Sequence, residues 1–297
     1  MFILLEIATI IAPLFVMAGI GFVWGRSGRP FNTNTIGGLV VNFAVPCLIF
    51  STLTRLQVSI SDFATAAGIF SIAVALNIFF STLLLRISRI EIGAFLPTTV
   101  FANNGNMGLP LCFFAFGEKG LALGISMFVV SATANFFLGI SFASRRLVLR
   151  ETVLAPHIYV VLAALYFLFI GVDPPSWLSN TTRILGGMSI PLMLIALGVS
   201  LARLEVRKVF QSLYLGSFRI GFGFCAGLVL AWAFDLSAAA RGVLILQCAM
   251  PSAVLNYIIA ARFGRKEDEV AGVVVASTIL SLATLPIIIY VAIHGFT

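Results

Sequence analysis

The chain has 297 residues, of which 60% are hydrophobic and only 10% are charged, and its mean hydropathy is +1.11. This composition excludes a soluble globular domain and indicates an all-α polytopic membrane protein. The formal net charge of +7 does not indicate nucleic acid as a partner, because basic residues of helical membrane proteins mark the cytoplasmic side of the bilayer.

The first apolar segment is predicted to be a retained membrane span rather than a signal peptide. A signal peptide has basic residues before its apolar run, whereas here Glu6 lies near the start and Arg26 and Arg29 follow the run. Apolar windows between charged residues predict ten spans in all. Their approximate limits are 3–24, 34–54, 63–85, 93–116, 120–142, 153–171, 182–202, 210–234, 242–261 and 270–293.

Lysine and arginine residues are distributed unequally between the two ends of these spans. Thirteen of them follow spans one, three, five, seven and nine, whereas the other loops carry four. Because basic residues concentrate in cytoplasmic loops, this bias predicts a multi-pass protein of the cell (plasma or inner) membrane with both termini on the outer side.

The fourth span contains the most informative stretch of the chain, from Ala102 to Pro110. Within a window free of charged residues, 92–117, this stretch has three asparagines, two glycines and a proline. Backbone groups that such a break frees must be buried in protein or line a cavity, and broken spans mark the substrate sites of transporters. The alternative is that glycine and proline are simply tolerated here, as in many transmembrane helices.

Three features of the first half of the chain recur in the second half in the same order. An Ala-Pro pair at 12–13 recurs at 155–156, and the Val-Pro pair at 45–46 recurs as Ile-Pro at 190–191. The broken fourth span has its counterpart in span nine, at 247–256, and the offsets are 143, 145 and about 149 residues. Halves of five spans each would insert in opposite senses, as in secondary transporters built from inverted repeats. The predicted units are a first repeat at 1–142, a short cytoplasmic connection at 143–152 and a second, inverted repeat at 153–297.

Three motifs resemble those of the auxin efflux carrier family. They are Val41-Asn42-Phe43-Ala44-Val45-Pro46, Asn103 followed by Met107-Gly108-Leu109-Pro110-Leu111, and Ala249-Met250-Pro251. That family includes the plant PIN carriers and bacterial proteins described as malonate or other organic-acid permeases. The resemblance implies ten transmembrane helices in two inverted five-helix repeats, with broken helices four and nine crossing in mid-membrane, and by analogy a homodimer. One departure is that Ala102 stands where the first crossover proline would be, which leaves this break to Asn103, Asn104 and Gly105.

A carboxylate is the substrate class that suits the predicted breaks. The N-terminal ends of the two second half-helices carry partial positive charge and unpaired N–H donors, which bind anions. Asn103, Gly105, Pro110 and Pro251 are expected to form the breaks. The predicted substrate-binding residues are Asn103, Asn104, Gly105, Asn42, Pro251, Ser252 and Asn256.

Several other polar residues of the spans have alternative interpretations. Asn42 could instead bridge neighbouring helices, and Asn77, Asn135 and Gln247 are assigned to that role, because polar side chains join transmembrane helices. Arg219 in span eight is expected to act as a gate or a functional charge, as intramembrane arginines do; alternatively its side chain extends to the cytoplasmic interface. Asp62, near the outer end of span three, is either an interface residue or part of an ion-pair cluster that supports span movement.

The predicted function is secondary transport of small organic-acid anions by alternating access at the helix crossover. All eleven acidic residues lie near span ends or in loops, so the sequence favours potential-driven efflux or facilitated transport over coupling to a cation. The alternatives are a sodium- or proton-coupled uptake symporter, a carboxylate sensor and a channel. No enzyme activity, metal site or cofactor is expected, and the expected partners are the carboxylate substrate, the lipid bilayer and a second copy of the chain.

Overall fold

The computed structural model describes residues 2–55, 59–144, 146, 156–204 and 208–295, so that most of the connection predicted at 143–152 lies outside the described residues. Within these ranges the chain forms fourteen α-helices and three five-residue π-helical turns. The helices are α1 (Phe2–Arg26), α2 (Thr33–Leu39), α3 (Val45–Arg55), α4 (Ile60–Ile87), α5 (Ile92–Val100), α6 (Leu109–Ala134), α7 (Ile140–Ser144), α8 (Pro156–Ile170), α9 (Ser176–Gly187), α10 (Ser189–Arg203), α11 (Val209–Ala233), α12 (Ala238–Cys248), α13 (Val254–Arg262) and α14 (Glu267–His294). The π-helical turns are Val40–Ala44, Asn104–Gly108 and Asn135–Gly139.

Seven helical segments in the described part of the chain are long and apolar enough to cross a membrane. The segments are Ile7–Arg26, Thr35–Arg55, Ile60–Ile87, Asn104–Ser144, Ser176–Arg203, Val209–Ala233 and Glu267–His294. Two shorter apolar helices, His157–Ile170 and Ala238–Cys248, accompany them. The described part of the chain is therefore helical and multi-pass, and the helices that fall below the length of a full span include α5, before the first expected break, and α12 and α13, on either side of the second.

The outer surface of the helices is apolar, as a lipid environment requires. Phe210 is 90% exposed and Trp232 is 80% exposed, and many further leucine, isoleucine and phenylalanine side chains also point outward. A soluble protein rarely exposes large contiguous apolar patches. The bilayer therefore replaces water as the solvent of this surface.

Helix α6, within the segment Asn104–Ser144, consists of two helical parts joined at Gly117. This glycine has φ 63° and ψ −155° inside α6, a backbone conformation that is favourable only without a Cβ atom. Gly117 lies where the sequence predicts the boundary between spans four and five. The 41-residue segment therefore turns at this point instead of running straight.

Small residues allow α1 and α10 to pack backbone against backbone. A Cβ atom added at Gly21 or at Gly198 would overlap the carbonyl oxygen of Ile195 or of Ala18 on the facing helix. A Cβ atom added at Gly186 would lie 2.9 Å from the backbone of Leu48, so that α9 approaches α3 in a similar way. Close approach through glycine stabilises helix pairs in membranes, where lipid tails are as apolar as the side chains.

The helix pairs are reciprocal between the two halves of the chain. Helix α1 of the first half packs on α10 of the second, and α8, which begins the second half, packs on α3 of the first. Within the first half α4 packs on α6, and within the second half α11 packs on α14. Two interrupted segments, from α5 to α6 and from α12 to α13, lie between these helices and carry the site.

Candidate functional site at the two helix breaks

The two interrupted segments are joined to each other where they are not helical. Ala102 and Ser252 face each other in a short antiparallel bridge. The N–H of Asn103 donates to the carbonyl oxygen of Pro251 at 2.7 Å, and the N–H of Ala253 donates to that of Phe101 at 3.1 Å. These bonds satisfy backbone groups that would otherwise be unpaired inside the membrane.

A cavity of about 350 Å³ lies directly beside this bridge. Its wall consists of the residues around both breaks together with parts of α2, α3, α6, α8, α10 and α13. The polar residues that line it are Asn103, Asn104, Asn106, Ser131, Asn135, His157 and Ser200. Among the described lining residues there is no aspartate, glutamate, lysine or arginine, so that a bound anion would have to be held by neutral donors and helix ends.

Asn103 has an amide donor that the fold does not use. The residue is 3% exposed and lines the cavity, and within the described ranges its Nδ2 atom has no hydrogen-bond partner. A buried polar group without a partner costs about 1–3 kcal/mol. The residue lines the cavity but its amide nitrogen is covered by neighbouring atoms, so that a turn of the side chain would present this unused donor to a ligand.

Both second half-helices begin at the cavity. Helix α13 starts at Val254, and the turn that leads into α6 starts at Asn104; neither start has a side-chain hydrogen bond to cap it. Val254, Leu255, Asn104 and Gly105 all line the cavity. Because the first N–H groups of a helix lack intrahelical partners and carry partial positive charge, the two helix ends are suited to an anion without a charged side chain.

Asn104 ties the first break to α12 and to α6. Its Nδ2 donates to Gln247 Oε1 at 2.6 Å and to the Gln247 carbonyl oxygen at 2.8 Å. Its Oδ1 accepts from Ser131 Oγ at 2.7 Å. Asn104 therefore positions the cavity wall, with both of its amide ends already bonded.

Asn256 holds the opposite side of the bridge. Its Nδ2 donates to the Phe101 carbonyl oxygen at 2.9 Å and to Ser252 Oγ at 3.1 Å, and its Oδ1 accepts from Asn135 Nδ2 at 3.2 Å. The Ser252 N–H donates in turn to Ser277 Oγ at 3.1 Å. Ser252, Asn256 and Pro251 are buried, but they are not among the residues that line the cavity.

The structure therefore divides the residues that the sequence singles out. Asn103, Asn104 and Gly105 lie together at the cavity, whereas Asn42 is exposed and donates to Gly38 O of its own helix at 2.9 Å. Pro110 is buried in the first turn of α6, next to the break.

Two charged residues lie apart from the cavity wall. Asp62 is exposed in the first turn of α4, where its N–H donates to Ser59 Oγ at 2.9 Å, and Arg219 is buried behind the bridge.

Sequence reasoning missed several residues of the cavity wall. Each of the three π-helical turns borders the cavity and contains an asparagine, although no local signal predicts a π-helical turn. Such turns occur frequently at functional sites. Ser131 and His157 also line the wall, and the Nε2 atom of His157 lies 3.2 Å from Thr133 Oγ1. The sequence has no signal that brings these residues to the break, because their neighbours belong to distant helices.

Known proteins of similar sequence are membrane transporters. The chain matches the family described as "Membrane transport protein" over residues 6–146 and 140–289. It is 28% identical over 272 residues to an uncharacterized transporter of Methanothermobacter thermautotrophicus, with 86% of this chain and 88% of that protein covered. An uncharacterized transporter of Methanocaldococcus jannaschii is 22% identical, with 84% and 86% covered. A protein of Rhizobium meliloti named "Putative malonate transporter" is 23% identical, with 98% and 97% covered.

Proposed function

The chain belongs to the membrane transport protein family, which is the auxin efflux carrier family, and from that premise we propose that it is a secondary carrier for small organic-acid anions. The observation that carries the proposal is the convergence of two uncapped helix starts and the unused Asn103 amide on one cavity whose described lining residues carry no charge. Helix N-termini bind carboxylates without a side-chain cation. The cavity volume, about 350 Å³, lies at the small end of ligand pockets, which favours small acids.

The architecture that we propose for this carrier is ten transmembrane helices in two inverted five-helix repeats, with the broken helices four and nine crossing at the bridge. The reciprocal packing of α1 on α10 and of α8 on α3 supports it. The bridge supports it as well, because its two hydrogen bonds join the break after α5 directly to the break after α12, as a crossing of the two broken helices requires.

The membrane potential is the proposed energy source for transport of the anion. Transfer of one singly charged anion out of a cell with an inside-negative potential releases about 2.3 kcal/mol per 100 mV, so that efflux needs no coupling ion. The Rhizobium meliloti relative, through its name, supports malonate as a first candidate among the acids. The alternative is a sodium- or proton-coupled uptake symporter on the same helices.

Electrical current from purified protein on a solid-supported membrane tests this function. Pulses of malonate, short-chain monocarboxylates and indole-3-acetate are applied, with sodium or choline as the only monovalent cation and with pH steps. We expect a saturable anion current that changes less than about twofold between sodium and choline. A current that requires sodium or a proton gradient would establish the symporter instead, and a lack of any anion current would refute potential-driven transport, because uncoupled movement of an anion always carries charge.

We further propose that the cavity faces the cytoplasm. Its residues Gly37, Ser200 and Ile258 lie near the helix ends at which the basic residues Arg203 and Arg262 are found, and basic ends lie on the cytoplasmic side.

Cysteine labelling tests this orientation. In a variant without the four native cysteines, Ser200→Cys should react with a membrane-impermeant maleimide added to the cytoplasmic side only. Ser61→Cys, at the exposed start of α4, is the control and should react from the outer side only. The opposite labelling pattern would reverse the proposed topology.

A further inference from the structure

Arg219 connects the first halves of both broken segments. This residue of α11 is 1% exposed, and all of its partners that the structure describes are neutral oxygen atoms. Its Nη1 donates to Val100 O at 2.7 Å, to Thr99 O at 3.2 Å and to Asn77 Oδ1 at 3.0 Å, and its Nη2 donates to Cys248 O. Thr99 and Val100 end α5, and Cys248 ends α12.

The ends of α5 and α12 need a positive charge at this place. The last carbonyl groups of a helix lack intrahelical partners, and together they carry about half an elementary negative charge. Here two such ends meet at the bridge inside the membrane, and no carboxylate within the described ranges contacts the guanidinium. The positive charge of Arg219 is therefore directed at the two helix ends and at the amide oxygen of Asn77.

The same kind of oxygen cluster binds free cations in other transporters. In carriers with broken helices, unwound backbone carbonyls and half-helix C-terminal ends coordinate the coupling sodium ion or proton. Resting on the proposed carrier function, we propose that Arg219 is a tethered cation that occupies the position of a coupling cation, so that the transport cycle requires no free one.

Two further contacts fit a site built around one guanidinium group. A Cβ atom at Gly223, one turn along α11, would overlap both Cys248 O and Arg219 Nη2, so that a glycine is needed for the group to reach α12. Asn77 stands 142 residues before Arg219, close to the offsets of the sequence repeat. At the place in the first half that corresponds to Arg219, the chain thus has the neutral acceptor Asn77, and the one guanidinium group contacts both halves.

The test is thermal unfolding of the purified protein in different cations, which does not depend on any transported substrate. Arg219→Ala, Arg219→Lys and wild-type protein are compared in 10 mM choline, sodium and guanidinium chloride at constant ionic strength. A ligand that binds only the folded state raises its melting temperature. We expect guanidinium or sodium to raise the Tm of Arg219→Ala by at least about 5 °C over choline, whereas wild type and Arg219→Lys change by less than about 1 °C.

A matched control and the opposing outcomes make this test decisive. Arg262→Ala removes an exposed arginine at the end of α13, and its Tm should not depend on the cation. The proposal is overturned if neither cation raises the Tm of Arg219→Ala, if that variant is not recovered as folded protein in any cation, or if Arg219→Lys responds as the alanine variant does. Anion current of the wild type, measured separately, decides the carrier function itself.

Discussion

Replacement of Asn103 by alanine should reduce the affinity for the transported anion by about 10- to 100-fold. The Asn103 amide is buried in the cavity wall with its Nδ2 atom unused, and a hydrogen bond to a charged group contributes about 1.5–3 kcal/mol. Asn103→Asp should have a larger effect, because its carboxylate would repel the anion. The concentration dependence of the anion current, or of ligand-induced stabilisation, measures both.

Asn42→Ala is the matched control for this prediction. It removes the same amide group from an exposed side chain whose donor is bonded within its own helix. Its affinity should remain within about twofold of the wild-type value. An Asn103→Ala protein with unchanged affinity would exclude the cavity beside the bridge as the binding site.

Loss of the hydrogen bonds between Asn104 and Gln247 should have the largest effect on stability. Asn104→Leu leaves the Gln247 side-chain oxygen and the Ser131 hydroxyl without their partner. Each buried unsatisfied group costs about 1–3 kcal/mol, although measured interhelical bonds in membranes contribute about 0.6–1.7 kcal/mol. We expect the Tm to fall by about 5–10 °C.

A double-mutant cycle distinguishes this network from simple packing. The double variant Asn104→Leu, Gln247→Leu should lose less free energy of unfolding than the sum of the losses in the two single variants, with a coupling energy of about 1 kcal/mol. The reason is that the second substitution removes the group that the first leaves unpaired. Ser126→Ala removes a buried hydroxyl whose one hydrogen bond among the described residues is to Leu123 O of its own helix, and it should lower the Tm by much less. Strict additivity would show that the two amides act independently.

Local sequence was sufficient to locate both breaks. The asparagines, glycines and proline at 102–110 disfavour a continuous helix, and the described helices α5 and α12 do end at Val100 and Cys248. The family, too, followed from short motifs, and the match over residues 6–146 and 140–289 confirms it. The count of ten spans stays a prediction, because seven described segments are long enough to cross a membrane, and short helices such as α5, α12 and α13 cannot be counted by length.

Side-chain roles within the site depended on contacts that no local pattern encodes. Asn42 and Asn103 are the same residue type in similar apolar surroundings, yet one is exposed and the other lines the cavity. Arg219 could have extended to the interface, but its partners at Val100 and Cys248 hold it behind the bridge. Sequence periodicity describes one helix face at a time and contains no information about partners that lie on other helices.

The amino-acid sequence by itself determined that this protein is a helical membrane transporter with two interrupted helices, because hydropathy, charge bias and helix-breaking residues act over a few neighbouring positions. Only the tertiary structure decided which polar groups face the cavity and which are used up within the fold. Asn104 and Asn256 each have both ends of the amide bonded and a partner more than 100 positions away, whereas the amide nitrogen of Asn103 has no partner among the described residues. The reason is physical, since a polar group inside the membrane that is not bonded within its own helix must find its partner on another helix, and the packing of both halves decides which group has none.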